Sequence, residues 1–309
     1  MSLASFISER ADVRQGFHAR LVRPPLRFER GLRIPPATMN RELVGGAFGY
    51  LMRFHLQRIN PQARAWAWTA EAGAALIGMG PGGAKGKDIT TISRHPRQLR
   101  AAAYVADAKR RCQAYAHDGK ITDELLVAAY RLAHLDVAVR AGPERIDWRS
   151  INYLRSGDAV DLKALLELVD DKAFQAARAC ILDPGLPAAE VVGGAAPDFI
   201  LDYCVVDVVT GHEPKLDARD LYRLVGYYLL LGLGGISDEN GNPEQRPVNS
   251  VGIYFARYGQ LWKMPVREIV PLDAMPGLTR WFVATACALK PGARELLSEL
   301  RGPLAAHLG

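Results

Sequence analysis

The chain has 309 residues, 49% hydrophobic and 23% charged, with a net charge of +6, the balance of an ordinary globular protein. No run reaches the ~18 apolar residues of a membrane span, residues 1–10 lack a signal peptide's apolar core, and Cys112, Cys180, Cys204 and Cys287 form no C-x-x-C pair. A cytoplasmic location is therefore expected, and a zinc ribbon or iron–sulfur cluster is not.

The charge is uneven. Residues 181–309 hold 11 Lys+Arg against 15 Asp+Glu, so the excess of positive charge lies upstream. A basic part beside an acidic part suits a protein that grips phosphate at one end and holds metal-binding carboxylates at the other. An arginine-rich composition with no partner is the alternative.

Residues 1–38 read as a short helix followed by an extended, proline-containing arm. It carries Arg10, Arg14, Arg20, Arg23, Arg27, Arg30 and Arg33, with Arg41 just beyond. Such an arm lies along a nucleic acid, docks on a partner subunit, or is a solvated tail. Leu43 to Ile59 has helical spacing, ended by Asn60-Pro61. Residues 78–91 form a glycine-rich loop. It fails the P-loop pattern at Pro81 and Asp88, and reads as a basic loop. With Arg94, Arg97 and Arg100, its Lys85 and Lys87 either contact phosphate or form a solvated surface.

Helices are predicted over about 94–117, 122–140 and 158–180. Asp183-Pro184-Gly185 and Gly193-Gly194 are breaks. The period then turns to alternation. Strands are predicted at Ala189–Val192, Pro197–Leu201, Cys204–Thr210, Ser250–Arg257 and Leu261–Val266. A helix over Ala218–Gly232 separates the third strand from the fourth, and two helices, about 277–289 and 292–300, follow.

Pro197-Asp198 is followed nine residues later by Asp207-Val208-Val209. Two carboxylates on neighbouring strands are a means of holding Mg²⁺, which prefers oxygen ligands. An unpaired carboxylate in a strand reading CVVDVV is costly, which favours a role for Asp207 over a merely buried strand. Residues 207 and 209 share a face. In the helix that follows, Arg223 and Tyr227 share a face at i, i+4.

This arrangement resembles the PD-(D/E)XK nuclease superfamily, and its RecB-like branch in particular. The resemblance covers about 80 residues, from Glu190 to Val266, plus the upstream helix. It implies an α/β, restriction-endonuclease-like mixed-sheet core with a large helical insertion and C-terminal helices. The parts would be a basic arm (1–42), a helical part with the first core helix and the insertion (43–180), the core (181–270) and terminal helices (271–309). It implies a Mg²⁺- or Mn²⁺-dependent DNA nuclease of bacterial defence or repair, with metal on Asp198, Asp207 and Glu190 and with Tyr227 positioning the strand.

Three places depart from the family pattern. Val209 stands where the lysine belongs, Arg223 where glutamine does, and Gly49 where a histidine often follows the helix glycine, here Gly45. Lys215 or Arg223 would supply the missing positive charge. The alternative is a catalytically inactive member that binds DNA or scaffolds a larger complex, with a protein partner. A third reading is an interaction module unrelated to nucleic acid.

Overall fold

A strand that is apolar on both faces needs cover on each side of its sheet. The computed structural model describes residues 2–29, 31–77, 95–213, 215–238, 241–290, 292–299 and 302–305. In chain order its helices and strands are α1 (Leu3–Ser8), α2 (Ala11–His18), α3 (Arg41–Ile59), β1 (Arg64–Ala65), α4 (Thr69–Leu76), α5 (Pro96–Asp118), α6 (Asp123–Ala141), α7 (Ser156–Glu167), α8 (Asp171–Phe174), β2 (Cys180–Leu182), β3 (Phe199–Leu201), β4 (Cys204–Val209), α9 (Ala218–Gly234), β5 (Ile236–Ser237), β6 (Pro243–Glu244), β7 (Ser250–Phe255), β8 (Gln260–Pro265), α10 (Met275–Leu289) and α11 (Ala293–Glu299).

Among the described residues, six strands form one mixed sheet in the order β1-β2-β3-β4-β7-β8, and β5 and β6 form a separate ribbon. Strands β2, β3 and β4 form an antiparallel meander. The chain then crosses through α9, and β7 lies parallel to β4. A parallel neighbour needs such a crossover. The fold is thus α/β with a mixed sheet, which agrees with the α/β expectation at that coarse level.

Alternation divides the core. Phe199, Leu201 and Val206 face α3, α5, α6 and α7, with Phe48, Leu51 and Phe54 among their partners in the apolar cluster. Ile200, Val205 and Ile253 face the other way, into the cluster of α9 and α10. No described helix is long and apolar enough to cross a membrane.

The first strand of the sheet differs from the sequence expectation. Ala189–Val192, with Glu190, is part of a 3-10 turn over Pro187–Val192. Pro187 opens it, and Gly193 closes it at φ 82°, a conformation that glycine adopts without cost. The strand lies upstream, at Cys180–Leu182. Consequently the helix expected over 158–180 stops at Glu167, with the single turn α8 after it.

The N-terminus also differs from a short helix followed by an arm. It forms two helices, and Leu3, Phe6, Ile7, Val13 and Phe17 are buried in the α9–α10 cluster. Phe17 stacks on Tyr222 at 5.3 Å, and Phe6 meets Phe282 edge-on at 5.9 Å. Val22 then donates to the Ile269 carbonyl, and Arg33 and Ile34 donate to the Arg257 carbonyl. The loop bearing Lys85, Lys87 and Arg94 lies outside the described residues.

Candidate functional site

Register brings three aspartates into one row. Leu182 pairs with Phe199, and Phe199 with Val206. One step further along the same register, Asp183 stands against Asp198, and Asp198 against Asp207. The Asp183 amide donates to the Asp198 carbonyl at 3.1 Å, which continues the ladder. Asp183 has φ 49°, so the chain leaves the strand there.

Each end of the row carries an arginine. From α3, Arg53 Nη2 lies 2.7 Å from Asp183 Oδ1 and 3.5 Å from Asp198 Oδ1. From α9, Arg223 Nε donates to Asp207 Oδ2 at 2.6 Å, and Arg223 Nη2 reaches Asp220 Oδ1 at 3.2 Å. The other oxygen of Asp198 accepts from the Val208 amide at 2.7 Å. Tyr227, one turn after Arg223, donates to the Ala196 carbonyl at 3.2 Å. Behind Arg53, Tyr50 donates to Asp136 at 2.6 Å, and its ring lies 4.8 Å below the Arg53 guanidinium.

Burial shapes the electrostatics. Desolvation pushes the Asp207 carboxyl up to about 6; Asp198 adds to this and Arg223 opposes it. Asp183 is also pushed up to about 6, by burial first and then by Asp198 and Asp136, against Arg53. Burial likewise raises Asp136, and it lifts the Tyr227 phenol well above its ordinary value. Five carboxylates (Asp136, Asp183, Asp198, Asp207 and Asp220) thus share two guanidinium groups within one partly dry cluster.

The donor set does not suit a Mg²⁺ or Mn²⁺ ion. Both oxygens of Asp198 and one of Asp207 already face donors of the protein. Gly49 offers no ligand, and a side chain built there would meet nothing within 4 Å. Among the described residues, no group of three or more His, Cys, Asp and Glu side chains has metal-binding geometry. Glu190 lies on the 3-10 turn, exposed, and its carbonyl accepts from Lys290.

The other sequence candidates are more scattered. Lys215 is exposed and paired with Glu213. It lines a cleft of about 430 Å³ together with Val209, His212, Arg219, Asp220 and Arg223, walled on one side by Ile7 and Ser8 of α1. Val209, which the resemblance sets at the lysine position, is thus one of the residues that line this cleft. Arg97 and Arg100 are exposed on α5, away from this cleft; Arg97 lies 5.8 Å from the Trp148 ring.

Sequence reasoning missed Arg53 and Asp183. A signal for Arg53 was present, since Gly45, Gly49 and Arg53 follow one another at i, i+4, i+8 on one helix face. Comparison with family models, curated proteins and solved structures finds no match to this chain.

Proposed function

We propose that the chain is a nucleic-acid-binding protein on a PD-(D/E)XK, RecB-like scaffold, in which arginine has taken the place of the catalytic metal. It binds DNA without cutting it, as a cytoplasmic subunit of a defence or repair complex. The order of helix α3, three antiparallel strands, helix α9 and a strand parallel to the third supports that scaffold. The observation that carries the reading is the Arg223–Asp207 pair. A carboxylate that would bind a divalent ion is neutralised by a fixed guanidinium, and valine replaces the lysine that would stabilise charge on the phosphorane.

What remains is a cleft whose lining mixes Lys215, Arg219 and Arg223 with Glu213, Asp217 and Asp220. Arg23 reaches its edge, donating to the Leu216 carbonyl at 2.5 Å. Arginine suits phosphate recognition because its planar fork matches the phosphate oxygens.

Labelled single- and double-stranded DNA, incubated with Mg²⁺ or Mn²⁺, tests this. The expected result is binding that weakens steeply with salt and no cleavage. Cleavage that disappears in Asp207→Ala would overturn the reading in favour of a working nuclease. Absence of binding at low salt would favour an interaction module unrelated to nucleic acid.

A further inference from the structure

A second cavity, of about 360 Å³, opens where the N-terminal ends of α3 and α7 meet. Its size lies in the range of small-ligand sites. Asn40, Tyr130, Asp147, Ser150, Tyr153 and Arg155 line it. We propose that it is a subsite for one unstacked nucleotide of a single-stranded nucleic acid. This rests on the nucleic-acid-binding reading above and names the form of nucleic acid that the protein takes.

Four features point to such an occupant. Tyr153 is 67% exposed, and an exposed ring at a cavity is a platform for a base. The exposed Arg155 guanidinium makes no hydrogen bond or ion pair among the described residues. Asn40 is the N-cap of the 19-residue α3, yet its side chain does not cap the helix. It donates instead to the Tyr130 hydroxyl at 3.0 Å, which leaves first-turn amides of α3 without a side-chain acceptor. Lastly, Asp147 takes the Ser150 hydroxyl at 2.8 Å and the Arg149 amide at 3.0 Å, and a carboxylate has further acceptor capacity.

Charge orients the occupant. Asp147 and the buried Asp158 both act on Tyr130 electrostatically, and Arg155 opposes them. A phosphate is disfavoured beside the Asp147 carboxylate that lines the cavity, whereas the amine or ring N–H of a base is favoured there. The phosphate then belongs to Arg155. A duplex keeps its bases stacked and paired, so the ring platform engages only a single strand.

Arg41 follows Asn40 directly and acts electrostatically on Glu213, which lines the first cleft.

Fluorescence anisotropy with a labelled single strand of about 12 nucleotides and a duplex of equal length tests the proposal. The double variant Tyr153→Ala/Arg155→Ala should bind the single strand about tenfold more weakly, with less than about a twofold change for the duplex. Both side chains are exposed, so an unchanged melting temperature should accompany the loss. Equal losses for both forms, or no loss, would overturn the subsite while leaving the proposed function standing. A wild-type protein that binds neither form would overturn both.

Discussion

Arg257 grips Asp161 with both prongs of its guanidinium, Nη1 at 2.7 Å from Oδ1 and Nη2 at 2.8 Å from Oδ2, and neither side chain is more than 1% exposed. The same arginine donates to the Thr210 carbonyl at 2.7 Å. It therefore fastens α7 to the end of β4, next to the candidate cleft. Removing one partner strands the other charge in a dry interior. Asp161→Ala should cost about 3–5 kcal/mol in urea unfolding, more than Asp107→Ala, whose partners Arg110 and Arg111 are solvent-exposed and whose third, Arg131, is half-buried at 3.8 Å.

The aspartate row makes stability depend on pH. The Asp183 carboxyl is raised from 3.8 to about 6 in the folded chain, so the folded state holds that proton more tightly than the unfolded state does. Its contribution is fully present below about pH 4 and is lost as pH rises through about 6. Asp183→Asn removes this titration. The stability difference between variant and wild type should shift in the variant's favour by on the order of 2 kcal/mol from pH 4 to pH 7. Denaturant unfolding across that range is the measurement, and a flat difference would contradict the assignment.

Catalysis should not arise from a lysine at position 209 alone. In Val209→Lys the new amine would face the cleft, but Arg223 would still hold Asp207. Val209→Lys with Arg223→Gln frees that carboxylate as well. The double variant should show more Mn²⁺-dependent nicking of plasmid DNA than either single one. If Val209→Lys alone cleaves, the guanidinium is not what blocks the metal.

Helix packing sets a further limit. Gly73 on α4 lies so close to α6 that a side chain there would sit 2.2 Å from the Leu135 carbonyl oxygen. That atom is backbone and cannot swing aside. Gly73→Ala should therefore destabilise by about 1–3 kcal/mol, although alanine is the better helix former. A thermal melt would detect it.

The legible part of this sequence was its periodicity. Ala218 to Gly232 and Ser250 to Arg257 stood out by their apolar and β-branched composition, and Asp207 stood out because it interrupts an apolar strand. Cys180-Ile181-Leu182 did not, because three apolar residues at the end of a helical stretch fit either period. Ala189-Glu190-Val191-Val192 has strand composition, but Pro187 and Gly193 bend it into a 3-10 turn. Asp183 was hidden in Asp183-Pro184-Gly185, which reads as a turn signal. Its meeting with Arg53 depends on register between segments 130 residues apart, which local pattern does not carry.

The seating of α1 and α2 on α9 has a consequence for synthesis. Leu3, Phe6, Val13 and Phe17 leave the ribosome roughly 200 residues before the helix that covers them, and non-local contacts of this kind slow folding. Throughout that interval a greasy amphipathic segment stays uncovered. It is then the natural landing place for a chaperone, and a circular permutant that makes α1 and α2 after α10 should show less of this exposure.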